Sequence, residues 1–285
     1  MNKSWLLLQQ TCLLLLLIPL CQPTALGQTR DIPNEHHCWG RFTPGAWCLA
    51  RIVTQSFDKD GKLLGTTTTV ERVTLVSVRR GYATLRIESV LEVGGKTFAA
   101  PVRTVSQGYH GEEIGNRTNL EELGAGNAHV EGNPIACRVK QYQIQNDDHR
   151  KQVRVYYSNQ VAPYILRRET ITTLGNDPEP TYQNALQVVA LDRPHEVLDQ
   201  IKSTSHLETV KKNGKSITTT AAIHARDIPG EVVSYQSNEK DKEGHLIRQS
   251  HMELIDYGYS EPEDELQETH RRNRRKDKRR SRRQN

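Results

Sequence analysis

Tyr82 to Val93 alternates: Ala83, Leu85, Ile87, Leu91 and Val93 share one phase, while Thr84, Arg86, Glu88 and Glu92 occupy the other. A period of two predicts a strand with one buried face. Gly94-Gly95 then offers the positive φ of a two-residue turn, and Phe98, Ala100 and Val102 return in phase, so the stretch reads as a β-hairpin. The same punctuation recurs at Asp60-Gly61, Asn213-Gly214 and Glu243-Gly244, each between runs rich in Thr, Val and Ile. Four hairpins predict a mostly β protein, an antiparallel curved sheet or sheets with few short helices. Helix signals are confined to a short turn over Asn119–Gly124 and to Glu263–Arg283, which is helical by composition but has no apolar stripe to bury.

An internal repeat organises the second half. With Val232-Val233 set over Ile165-Leu166, an offset of 67, Ile228 falls on Val161 and His224 on Tyr157, and Pro229 and Pro163 differ by one place. Each unit reads strand, turn, strand, proline-broken loop, strand, because proline cannot donate to a ladder and so ends one strand before the next begins. The Pro-rich stretch at 175–181 is the best candidate linker. The expected organisation is a leader over 1–27, an N-terminal β region over 28–174 and a C-terminal β region over 182–259 that repeats about 133–174. One continuous sheet is the alternative to two, and a tail follows over 260–285.

The corner phrases ArgAspIleProGlyGluValVal and SerAsnGlnValAlaProTyrIleLeu, in this order of strands, resemble the LolA/LolB-like envelope carriers over about 130–258. That resemblance implies a half-barrel with a concave side that holds a lipid tail. The chain departs from a lipid carrier in having only three Phe and two Met, fewer soft apolar groups than an acyl-binding surface uses. The phrase CysTrpGlyArgPheThrProGlyAlaTrpCys is similar to the opening of uncharacterised secreted bacterial proteins with such a repeat.

Lys3, the apolar run Leu6–Cys21 and the small residues of Ala25-Leu26-Gly27 predict a signal peptide cleaved near Gly27, and hence a secreted or periplasmic protein. Cys12 and Cys21 would leave with it. Of the remaining cysteines, Cys38 and Cys48 are candidates for a disulfide, and Cys137 shares an apolar phase with Ile135 and Val139.

Charge is split along the chain. His270–Asn285 holds ten Arg and Lys against one Asp, net +9, which leaves −4 for the rest of a chain whose total is +5. The cations Arg271, Arg272, Arg274, Arg275, Lys276, Lys278, Arg279, Arg280, Arg282 and Arg283 attract polyanions, here an anionic envelope polymer or membrane surface given the export signal. They lack interleaved aromatics, which speaks against sequence-specific nucleic-acid reading.

Trp39, Phe42 and Trp47, set among Gly40, Pro44 and Gly45, are the candidate ligand-binding aromatics, or else plug the end of the sheet. His36, His37, Cys38 and Cys48 are zinc-ligand types at a spacing that matches no closed structural site, so no metal is assigned. His110, Glu112 and Glu113 could serve acid–base chemistry in a glycine-rich loop, but no nucleophile elbow, phosphate-binding loop or cofactor motif accompanies them. No catalytic residue and no cofactor is therefore assigned. Three readings stand: a non-enzymatic binder of a lipid, another apolar ligand or a protein partner; an envelope module with no cavity; and an enzyme using the His110 loop.

Overall fold

The computed structural model describes residues 32–109, 117–145, 148–175 and 179–260. The leader, the His110 loop with Glu112 and Glu113, and the basic tail lie outside the described residues. Among the described residues, the regular structure apart from the single 3-10 turn Asn34–His36 is all strand. The strands are β1 (Trp47–Phe57), β2 (Leu63–Arg79), β3 (Tyr82–Val93), β4 (Lys96–Ala99), β5 (Arg103–Gly108), β6 (Arg117–Val130) and β7 (Asn133–Gln145). They continue with β8 (His149–Tyr157), β9 (Ile165–Leu174), β10 (Pro180–Val197), β11 (Gln200–Asn213), β12 (Ser216–Ala225), β13 (Val232–Asp241) and β14 (Leu246–Gly258).

All fourteen belong to one antiparallel sheet in the order β4-β3-β2-β1-β14-β13-β12-β11-β10-β9-β8-β7-β6, with β5 also on β3. Each of the four glycine-marked turns joins paired strands. The sheet is strongly curled. Leu75, Ala83 and Leu85 of β2 and β3 share one buried cluster with Tyr142, Ile144, Val153 and Val155 of β7 and β8. Seven strands separate β2 from β8 in the order. At about 4.8 Å per strand a flat sheet would hold them nearly 40 Å apart. The residues that close the gap come from the N-terminal segment, Ile32, Trp39 and Ala46, together with Tyr109 and Tyr164.

The repeat is structural. Asn133, His149 and Ile165 open β7, β8 and β9, and Gln200, Ser216 and Val232 open β11, β12 and β13, each 67 positions later. The tight turn before each unit matches as well: Glu131 and Gly132 have φ of 52° and 80°, and Leu198 and Asp199 have 47° and 63°. Leu166 and Val233 are equivalent core residues. Strands β9 and β10 pair from Thr173↔Pro180 to Arg167↔Gln187, so the sheet runs on through the Pro-rich stretch.

Two expectations change. Asn119–Gly124 is part of β6, not a helical turn. Six residues cannot nucleate a stable helix alone, and pairing with β7 satisfies their backbone, with Gly124 (φ 98°) taking up a register shift. The return strand after Gly94-Gly95 stops at Ala99, short of Pro101, and Phe98 is 54% exposed. All four β4 residues are exposed, and none joins a buried cluster.

Candidate functional site

The two proline loops of the repeat, 158–164 and 226–231, converge on the N-terminal segment 32–46, and this convergence gives the opening phrase and the repeat a common purpose. Gly230 lies flat against the Trp39 indole. Its φ is 80°, and a Cβ there would sit 2.7 Å from Trp39 Cζ2, so only glycine fits. Its N–H donates to the Cys38 carbonyl at 3.2 Å. Next to it Arg41 Nη2 meets Glu231 Oε1 at 2.5 Å, with both side chains nearly buried. The same guanidinium donates through Nη1 to the Arg226 carbonyl at 2.8 Å and through Nε to the His37 carbonyl at 3.2 Å. Burial pushes the Glu231 carboxyl up, but His224 and Arg41 outweigh it and hold the group below its ordinary 4.5.

The histidines have distinct tasks. His36 stacks on Tyr164 with ring centroids 3.6 Å apart, and its Nδ1 lies 2.6 Å from the Tyr157 hydroxyl. Burial lowers the His36 pKa and raises that of Tyr157, so the contact is favoured with both groups neutral. His37 stacks on Tyr109 at 4.3 Å, and its Nδ1 accepts the backbone N–H groups of Trp39 and Gly40. A neutral His37 therefore carries its proton on Nε2, the atom 3.8 Å from Cys38 Sγ. Burial, then Glu231, pushes the Cys38 thiol up to about 12. A protonated Nε2 cannot take the thiol's proton, so Cys38 and His37 do not form a nucleophile–base pair.

Beneath this lid lies a cavity of about 330 Å³. Arg168 of β9, Leu186 of β10, Leu207 of β11 and His224 of β12 form its floor, and His36, Trp39, Tyr109 and Tyr164 its roof. Tyr109 is 1% exposed, yet its hydroxyl has no hydrogen-bond partner among the described residues, and neither has the buried Nδ1 of His224. The nearest carboxylate oxygen recorded for that nitrogen, Glu231 Oε2 at 3.7 Å, is beyond hydrogen-bond length. A buried donor or acceptor without a partner costs about 1–3 kcal/mol, so such atoms mark where a water or ligand belongs.

Trp39, Phe42 and Trp47 do not form one surface. Trp39 is core and cavity wall. Phe42 stacks on Tyr259 at 6.0 Å beside an open groove lined by Arg41, Ile201, Lys202, Arg226 and Asp227. Trp47 begins β1, with its N–H donating to the Ser260 carbonyl and Arg72 4.3 Å from its ring. Cys38 and Cys48 are free thiols in the structure, as is Cys137; burial also pushes Cys48 to about 12. Asp241, Glu243 and His245 lie close enough to hold a metal ion, but Asp241 accepts both the His245 backbone N–H at 2.8 Å and its ring nitrogen at 3.0 Å, which ties the β13–β14 turn.

Sequence reasoning did not find Arg41, Glu231, His224, Arg168, Tyr109 or Tyr164. Arg41 and Glu231 lie 190 positions apart, and no local period links them. The sequence shows only the Pro229-Gly230 break ahead of Glu231, and the positive φ of Glu231 (67°) is visible in the fold alone.

No family model and no curated protein matches the chain. Among solved structures it is similar to a Bacteroides fragilis protein assigned as exported with a YmcC-like fold, at 11% identity and a TM-score of 0.30, over 76% of this chain and 98% of that one. It is also similar to MucB, solved in complex with MucA(peri), at 10% identity and a TM-score of 0.15, over 73% of this chain and 88% of that one. At superposition scores this low, neither likeness assigns the chain a fold or an activity.

Proposed function

We propose that the protein is a non-enzymatic secreted or periplasmic β-protein that holds a small amphipathic molecule in the cavity beneath Trp39, with segment 271–283 attaching it to polyanionic surfaces. The observation that carries this reading is the cavity itself: it is lined by Leu186 and Leu207 and by two residues with buried polar atoms, Tyr109 Oη and His224 Nδ1, that have no hydrogen-bond partner among the described residues, Glu231 Oε2 lying 3.7 Å from the latter. A volume of about 330 Å³ sits at the small end of ligand sites, which run from about 300 to 1,000 Å³. A full acyl chain, the cargo implied by the carrier resemblance, has little room. The inner side between the curled ends of the sheet is taken up by Ile32, Trp39, Tyr142 and Tyr164. Export is supported by the leader pattern of residues 1–27. No helix among the described residues is long and apolar enough to cross a membrane.

Mass spectrometry of small molecules released by denaturing protein purified from its own cells tests the cavity. A stoichiometric amphipathic compound is expected; folded protein that releases nothing turns the reading to a scaffold without a ligand. The tail is tested separately, by sedimentation with vesicles containing anionic lipid. Full-length protein is expected to bind and to weaken as salt rises from about 50 to 200 mM, since ten cations meet a screened surface charge. A chain ending at Ser260 that binds equally well would remove the tail from the proposal.

A further inference from the structure

Resting on the reading of the cavity as a ligand site, we infer that its ligand is a small organic anion with an apolar body, and that Arg168 supplies the counter-charge. Arg168 points into the concave face: in the ladder it stands between Val155 and Leu186, the former fully buried. Its chain neighbours Arg167 and Glu169 fall on the other face by alternation. They are occupied there, Glu169 with both Arg167 and Arg154. Among the described residues no carboxylate lies within ion-pair distance of Arg168. A half-buried guanidinium beside Leu186 and Leu207 is costly unless an anion meets it.

The rest of the lining fits the same charge. Glu231, the one carboxylate that lines the cavity among the described residues, is already neutralised by Arg41. Arg226 lies 5.3 Å from the Tyr164 ring at the roof, and Arg226 and Arg41 both act against a proton on His36, opposing Glu35, which favours it. Burial keeps the Tyr109 phenol protonated and therefore able to donate. A planar, five-donor guanidinium with a phenol lining the same cavity suits a carboxylate or phosphate oxygen pair, and Leu186, Leu207, Ile165 and Val232 offer apolar wall to the remainder. At about 30 Å³ per water-sized group, the volume admits on the order of ten heavy atoms.

The test uses full-length protein and three probes of one length: octanoate, octyl phosphate and octanol, titrated by calorimetry. Octanoate or octyl phosphate is expected to bind at least about tenfold more tightly than octanol, a gap of about 1.4 kcal/mol, and whichever binds better identifies the head group. Arg168→Gln is expected to abolish the difference, bringing the anions to the affinity of octanol. Arg168→Lys, which keeps the charge and loses the fork, is expected to retain part of it. Equal affinity for octanol and both anions in the wild type, or an undiminished preference in Arg168→Gln, overturns the anion assignment and leaves the cavity as a site for a neutral ligand. No binding of any probe, combined with no co-purified compound, overturns the ligand site and the anion with it.

Discussion

Arg41→Met is expected to destabilise the protein by about 3–5 kcal/mol, the cost of removing one partner of a buried ion pair and leaving the other charge uncompensated. The magnitude follows from burial: the side chains of Arg41 and Glu231 are 12% and 9% exposed, far from the solvated surface where such pairs contribute almost nothing. Methionine keeps most of the packing volume, so the loss reports charge and hydrogen bonding. The guanidinium also carries the contacts to the Arg226 and His37 carbonyls, and these go with it. Because Arg41 belongs to the N-terminal segment and Glu231 to the second proline loop, the whole lid loosens. For a domain of this size about 2–4 °C of Tm accompany each kcal/mol, so the midpoint should fall by on the order of 10 °C. A variant within about 1 kcal/mol of wild type by denaturant titration would show that the pair is not buried in solution.

The pH dependence of the same variant has a sign that packing loss alone would not give. In the wild type the Glu231 pKa lies below its ordinary 4.5. Its contribution is therefore complete above that value and is lost as the pH falls through the lower folded value. Without Arg41, burial is opposed only by His224 and prevails, so the folded pKa rises above the unfolded one. Glu231 then destabilises at neutral pH and is relieved as acid protonates it. The gap between variant and wild type should narrow from neutral pH towards about pH 5, and Glu231→Gln in the variant background should recover part of the loss at pH 7 by removing the stranded charge.

The architecture was legible where local chemistry decides it, and the lid was not. The alternation from Tyr82 and the glycine turns are short-range signals, and they became strands and hairpins of a single sheet. The 67-residue offset was readable because Pro163 and Pro229 interrupt two otherwise continuous runs. What those prolines accomplish was hidden: Tyr164, just before β9, meets His36, just before β1, across five intervening strands, and Glu231 meets Arg41 across one; the curl that allows the longer reach is a sum of twists that no single residue announces. The aromatics of the opening phrase were visible as a cluster in sequence, yet a strand start separates them. Trp39 precedes β1 and turns into the core, whereas Trp47 begins β1 and faces Arg72 and Ser260. Asn119–Gly124 misled for the converse reason, since its leucines and glutamates are good helix formers and only the partner strand β7 overrules them.

Trp39→Ala is expected to cost about 3–5 kcal/mol, as removal of a large buried aromatic does when its surroundings cannot collapse. Collapse is obstructed here on two sides. Gly230 lies against one part of the indole and is held by its N–H bond to Cys38, while the rest of the ring belongs to the cluster bridging the two ends of the sheet. Phe98→Ala, at an exposed aromatic on the outlying hairpin, should stay within about 0.5 kcal/mol and so serves as the control. Gly230→Ala probes the same contact from the other side: the new methyl needs both the φ of 80° and space now filled by Trp39 Cζ2, at a cost of about 1–3 kcal/mol for the overlap alone. In the Trp39→Ala background that overlap disappears and only the backbone strain remains. The double variant should therefore be more stable than the sum of the two single losses implies, by about the overlap cost. Strict additivity in denaturant titrations would mean that the indole does not rest on Gly230, and the cavity roofed by Trp39 would lose its lid.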